Sequence, residues 1–209
     1  MTNTIIDLSH NQARVDFEKV KAAGIKAVIL KATEGRHYVD PTYLERFEQA
    51  KAAGLIVGSY HFGTGSSYGS FQAADFLEVA KEGILVLDLE HNPGSSSDMT
   101  FEQAEDFLAT VYQKTGKYPG LYGGNVIKAF LKKRPSPIFA KCWLWIAQYG
   151  RPTPELPDTW DHWTMWQFTQ KGTVDGVSGP CDLDSFNDHL GDLEIFWKEH
   201  SIGVPSENA

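Results

Sequence analysis

One pattern recurs along the first half of this chain and leaves few folds open to it. Residues 17–24 read Phe-Glu-Lys-Val-Lys-Ala-Ala-Gly ahead of the apolar run Ala27–Leu30, and residues 47–54 read Phe-Glu-Gln-Ala-Lys-Ala-Ala-Gly ahead of Leu55–Val57. A third pass, Val79–Gly83, runs into Ile84–Leu87. Each pass predicts a helix closed by a glycine just past its end, followed by a short strand that is apolar at every position. Such strands are the mark of a parallel sheet buried on both faces. Successive helix–strand units imply an α/β architecture.

The helix starts keep the same phase. Asp40-Pro41 predicts an N-cap with proline at the first helical position, and Thr100-Phe101-Glu102-Gln103 has the form of a capping box ahead of Phe107, Leu108 and Val111. Further strands are expected at Thr4–Leu8, Gly120–Gly123, Trp143–Gln148, Thr164–Thr169 and Cys181–Phe186, with helices thinning out between the later ones. Phe186–His200 reads as a closing helix and Ser201–Ala209 as a frayed tail. The count is about eight strands, five of them in helix-linked units and three poorly linked. This predicts an irregular TIM-like barrel of the (β/α)5(β)3 kind. At 209 residues one core suffices, so residues 1–200 are expected to form a single catalytic barrel domain and 201–209 its tail.

Charge narrows the partners. A formal net charge of -8 argues against a sequence-independent grip on nucleic acid and against docking on anionic lipid. No apolar run approaches the ~20 residues of a membrane span, and Met1–Ile6 lacks the basic start and apolar stretch of a signal peptide, so synthesis in the cytoplasm is expected. Cys142 and Cys181 have no metal-ligand spacing and read as reduced, buried thiols.

In such barrels the chemistry sits where strands end. Reading those ends yields Asp7, Glu34, Tyr60-His61, Asp88-Leu89-Glu90, Tyr122, Gln148-Tyr149, Gln167 and Asp182. The sharpest of them is Val86-Leu87-Asp88-Leu89-Glu90. Residues i and i+2 of a strand face one way, so both carboxylates enter the barrel mouth. At a separation of ~7 Å and an effective dielectric of ~20 their repulsion is roughly 2.4 kcal/mol, enough to lift one carboxyl from ~4.3 toward ~6. That is where a general acid working near neutrality belongs. HExxH does not occur, the histidines read as polar or packing residues, and no metal or cofactor is expected. Phe62, Tyr122, Trp145, Tyr149 and Trp166 offer flat apolar faces that sugar rings could stack on, or that a core could absorb.

These residues resemble glycoside hydrolase family 25, the muramidases known as Chalaropsis-type lysozymes. The likeness runs from Ile6 to about Phe186 through eight segments in order: residues 7–9 (DLS), 31–35 (KATEG), 58–62 (GSYHF), 88–90 (DLE), 119–122 (PGLY), 144–149 (LWIAQY), 166–168 (WQF) and 182–184 (DLD). The resemblance implies a flattened barrel of five helix-linked strands and three more, and hydrolysis of the β-1,4 bond from N-acetylmuramic acid to N-acetylglucosamine. It implies Glu90 as the acid, Asp88 as its strand neighbour, and Asp7 and Asp182 as further carboxylates of the cleft. Glu34, Tyr60, Phe62, Tyr122, Tyr149, Trp166, Gln167 and Asp184 are expected to bind substrate, with Asp182 and Asp184 competing for one lining position because they share a strand face.

Because Asp88 and Glu90 project from one face, retention assisted by the substrate's own 2-acetamido group is expected, rather than attack by Asp88. The partner is then bacterial peptidoglycan, with neither nucleic acid nor membrane, and the chain is expected to act as a monomer. Without a leader it fits a phage or prophage endolysin released by a holin, or a chain trimmed of its leader. A chitinase-like glycosidase and a non-catalytic glycan-binding barrel are the rivals. The chitinase signature needs aspartates where Leu85, Val86 and Leu87 stand, and a binding barrel has no need of Glu90.

Overall fold

The computed structural model describes residues 3–92, 97–187, 189 and 191–203. Eight strands close a barrel: β1 (Asn3–Leu8), β2 (Ala27–Glu34), β4 (Ile56–Phe62), β5 (Ile84–Asp88), β6 (Gly120–Gly123), β7 (Leu144–Ala147), β8 (Met165–Gly172) and β9 (Cys181–Phe186). A two-residue strand, β3 (Tyr38–Val39), is appended to β2 as a hairpin. Helices α1 (Phe17–Ala22), α2 (Tyr43–Ala52), α3 (Gly69–Val79), α4 (Phe101–Thr115) and α5 (Asn125–Lys133) link the first six barrel strands. β8 and β9 follow without a linking α-helix, and α6 (Leu193–His200) is the last helix of the described residues. The irregular TIM-like α/β barrel expected from the pattern is the fold observed.

The six pairings from β1 to β8 are parallel, whereas β9 runs antiparallel to both β8 and β1 and closes the ring between them. Alternation along each strand separates two apolar layers. Outward residues such as Val28, Leu30, Leu85, Leu87, Leu121 and Ile146 pack under the helices, while Ile5, Ile29, Ile84, Val86, Trp143, Trp145 and Met165 fill the barrel. On the parallel strands the interior residues are apolar first and polar last, so the polar groups gather at one mouth. The opposite end is plugged by α6: Trp197 is buried in the interior cluster and its indole Nε1 donates to the Val57 carbonyl at 3.0 Å.

Several local expectations need correcting. Asp40 does not cap α2 directly. The helix starts at Tyr43, and the Asp40 carboxylate instead accepts from Thr42 N and Oγ1 and from the backbone of His10. Gly24 and Gly54 take positive φ just past α1 and α2 as predicted, but α3 already ends at Val79. Gly83 serves another purpose, since a Cβ there would lie 2.3 Å from the Val57 carbonyl oxygen. The closing helix begins at Leu193 rather than Phe186, because Phe186 is still the interior end of β9. Ser201 is buried and Ile202 pairs with Gly83, so the packed chain continues past His200; residues 204–209 lie outside the described residues. The capping box at Thr100 forms in both directions.

Candidate active site

The polar mouth is a cleft lined by Asp7 and Ser9 from β1 and its following turn, Lys31 from β2, Tyr60 and Phe62 from β4, Asp88 and Glu90 from β5, Tyr122, Trp145, Gln167, Asp182, and Asn11 and Gln12 of the β1–α1 loop. Asp88 continues the interior stripe Ile84–Val86, and Glu90 follows two residues on, just past the strand. Asp182 arrives by a route the sequence reading misplaced. Because β9 is antiparallel, the mouth receives its first residues rather than its last, and Asp182 pairs with Asp7 across the β1–β9 ladder. Asp184, next inward on the same face, is fully buried and accepts from Trp145 Nε1 at 2.8 Å; Asp182 is the one that lines the cleft.

One bulge shapes the other wall. Between β2 and β4 the register slips at Ala32, so Lys31 pairs with Tyr60 but Thr33 pairs with His61. Lys31 therefore faces the cleft, while Thr33 turns outward, where its hydroxyl meets His61 Nδ1 at 2.7 Å. Glu34 is brought back beside Lys31, and Nζ donates to Glu34 Oε2 at 2.6 Å with Nζ also 4.9 Å from the Phe62 ring centre. Glu34 thus reaches the site through Lys31, a residue missed as a candidate although its spacing from Ala27 and Ile29 places it on the interior face.

Gln167 is the hub of the far wall. Its Oε1 accepts from Tyr122 Oη at 2.9 Å and from Tyr149 Oη, which leaves the amide Nε2 to donate to Asp7 Oδ2 at 2.7 Å. Tyr149 touches the site through this bond while it remains partly exposed. Trp166 is not in the cleft. It neighbours Gln167 on β8 and so faces the other way, into the outer layer against Trp163 and Phe168, with Nε1 donating to the Gln148 carbonyl. Trp145 is the tryptophan that lines the cleft. Asn11 and Gln12 carry no periodic signal, and neither they nor Ser9 stood among the expected site residues; nor did Arg46, which donates from α2 to the carbonyls of Ser9 (2.5 Å) and Gln12 and pins that loop. His61 is a packing residue: it is fully buried, stacks on Phe107 at 4.9 Å and donates from Nε2 to Gln72 Oε1.

Burial raises every carboxyl of the cluster above its ordinary range. Asp7 is pushed up by burial and then by Asp184 and Asp182; Glu90 by burial and then by Asp182, with Lys31 opposing. Asp88 is raised by burial and then by Glu90. The two carboxyls titrate as one system rather than independently. Asp88 Oδ1 is buried without a hydrogen-bond partner among the described residues. Among those residues no group of three His, Cys, Asp or Glu side chains is placed to hold a metal ion. What the cleft can do is protonate a leaving oxygen from a half-exposed acid beside a buried acceptor in search of a donor.

Comparison with known proteins agrees with this geometry. The family model described as "Glycosyl hydrolases family 25" matches residues 6–177. Lysozyme M1 of Streptomyces globisporus is 31% identical over 87% of this chain and 67% of its own length. The N,O-diacetylmuramidase of Chalaropsis sp is 28% identical over 84% of this chain and 94% of its own. The solved structure of a family GH25 lysozyme from Aspergillus fumigatus superposes with a TM-score of 0.79 at 30% identity, covering 93% of this chain and 97% of that one.

Proposed function

The chain belongs to glycosyl hydrolases family 25 and is a peptidoglycan muramidase, and from that premise we propose that Glu90 is its general acid and Asp88 the residue that orients the substrate's 2-acetamido group. The observation that carries this reading is the bare Oδ1 of Asp88, buried at the cleft floor two residues from Glu90. An unpaired buried acceptor costs free energy, and an acetamido N–H is the donor that a sugar of this class offers.

Accepting that hydrogen bond favours the ionised form of Asp88, whose charge in turn favours the protonated form of Glu90. Substrate binding thereby loads the acid. The acetamido oxygen, turned toward the anomeric carbon, attacks as Glu90 protonates the departing oxygen, and the glycosidic bond breaks with an oxazolinium-type intermediate. Water, deprotonated by the now anionic Glu90, opens that intermediate from the same face as the leaving group, and configuration is retained. Asp7 and Asp182 supply negative charge opposite the developing cation, while Tyr60, Phe62, Tyr122 and Trp145 shape the wall against which sugar rings lie. Glu34 and Tyr149 act at one remove, through Lys31 and Gln167. The reading takes the chain as one catalytic barrel working as a monomer on glycan strands without metal or cofactor.

Digestion of purified peptidoglycan followed by borohydride reduction and mass spectrometry tests the reading. Reduced muramic acid at the new ends is expected; reduced glucosamine ends would overturn the assignment of the bond.

A further inference from the structure

The two residues of β3 are both exposed, Tyr38 at 39% and Val39 at 42%, and neither belongs to a core cluster. The hairpin that carries them is nevertheless pinned on two sides. Asp75 of α3 accepts from the His37 backbone at 3.1 Å and pairs with Arg36 Nε at 3.5 Å, and the buried Asp40, just past β3, ties the strand to the β1–α1 loop by accepting from the His10 backbone at 3.0 Å. Tyr38 stands opposite Glu34 across the hairpin, so its ring shares the face on which Glu34 returns to Lys31. The Lys31 ammonium lies 4.9 Å from the Phe62 ring centre and 5.9 Å from that of Tyr38. Lys31 and Phe62 line the cleft, so its wall continues through the ammonium to an open aromatic ring held in a fixed place.

His10 extends the same rim from the β1–α1 loop, between the cleft residues Ser9 and Asn11. Burial works against ionisation of Asp40, yet donors from Thr42 and His10 hold its carboxyl below the ordinary range. An anion only accepts, so the 2.8 Å contact to His10 Nδ1 places the ring proton on that nitrogen. Nε2 is left without a partner among the described residues, on a side chain 41% exposed whose ring meets Tyr38 edge-on at 6.3 Å. We propose that Tyr38 and His10 form an outer glycan subsite, in which the Tyr38 ring stacks on a pyranose of the strand beyond the sugars being cleaved and His10 Nε2 accepts from one of its hydroxyls. A pyranose presents the flat C–H face that an open phenol ring can cover and the hydroxyl donor that a bare imidazole nitrogen can take. The subsite rests on the reading of the cleft as a muramidase site, because it binds the same strand farther along.

The test is an NMR titration of the full chain, carrying Glu90→Gln so that turnover is slow, with peptide-free glycan oligomers of increasing length prepared from peptidoglycan. Short oligomers should move the Trp145 indole signal of the cleft alone. Beyond one length the Tyr38 ring and His10 Nε2 signals should move as well, and affinity should rise by about tenfold at that step. Adding Tyr38→Ala should abolish the step, whereas Tyr38→Phe, which keeps the stacking face, should hold it within about twofold. Circular dichroism checks that each variant is folded. Long oligomers that move Trp145 and leave Tyr38 and His10 still would overturn the subsite while sparing the functional reading. Equal loss in Tyr38→Ala at every length would also overturn it, since Tyr38 would then be a support of the cleft, and so would a stem peptide alone that moves Tyr38 as the glycan should. Oligomers that move no signal at any length would overturn the functional reading and the subsite together.

Discussion

Asp88 and Glu90 are two residues apart and chemically similar, and environment alone separates their roles. Asp88 is 6% exposed and lacks a donor for Oδ1; Glu90 stands beyond the strand end, half open to the cleft. Glu90→Gln keeps the shape and removes the proton, so kcat should fall by at least ~10³-fold with the fold intact, checked by turnover beside circular dichroism. Asp88→Asn should cripple turnover and also remove an anion beside Glu90. The acid then ionises more easily, and the alkaline limb of the residual pH–rate profile should move to lower pH; an unmoved limb would contradict the pairing. Residue parity made these two legible from the sequence alone. It also exposes the error over Trp166, since Trp166 and Gln167 are adjacent on a strand and cannot both face inward. Asp184 was legible as a residue of the right face but not as one too deep to meet a sugar, because depth is set by Trp145 from another strand.

At the scale of elements, two departures from a plain βα repeat build the site, and neither is written as periodicity. The bulge at Ala32 turns Thr33 out and brings Glu34 back, and the antiparallel β9 delivers its first residues to a mouth otherwise made of strand ends. Helix-linked strands were readable because of their glycine stops and apolar runs; β9 is mixed in composition, and its direction depends on closing a ring. Behind the mouth, His61 joins β2, β4 and α3 through Thr33 and Gln72. Burial lowers its pKa from 6.5 to about 4, so the unfolded chain binds that proton first as pH falls. Its neutral form therefore contributes stability that is complete above about pH 6.5 and is lost between there and about pH 4. His61→Gln should flatten denaturant-measured stability across this window relative to wild type; identical slopes would show that His61 is not the group responsible. At the opposite end Trp197 plugs the barrel, and Trp197→Ala should cost about 3–5 kcal/mol in urea unfolding while leaving the pH profile of activity unmoved.

Across the whole molecule, a net charge of -8 is compounded by a core that ends in carboxyls at one mouth. Each of these has a raised pKa in the fold, so the folded state binds protons more tightly than the unfolded one. That contribution to stability falls as pH rises from the ordinary carboxylate range through the raised values, opposite in sign to His61. Replacing Asp88 by Asn should thus stabilise the protein at neutral pH, by roughly 0.5–2 kcal/mol in chemical denaturation, even as it loses activity. A destabilised Asp88→Asn variant would mean that the site stores no such strain. The barrel class and strand count were open to sequence reading, since they depend on repeats local in the chain. What closes the ring and who meets whom across it were not. The reaction itself joins these scales, and the anomer first released, followed by proton NMR before mutarotation, tests the account most directly. Acetamido attack followed by water on the same face predicts the retained β-anomer of the muramic acid end. An α-anomer appearing first would contradict it.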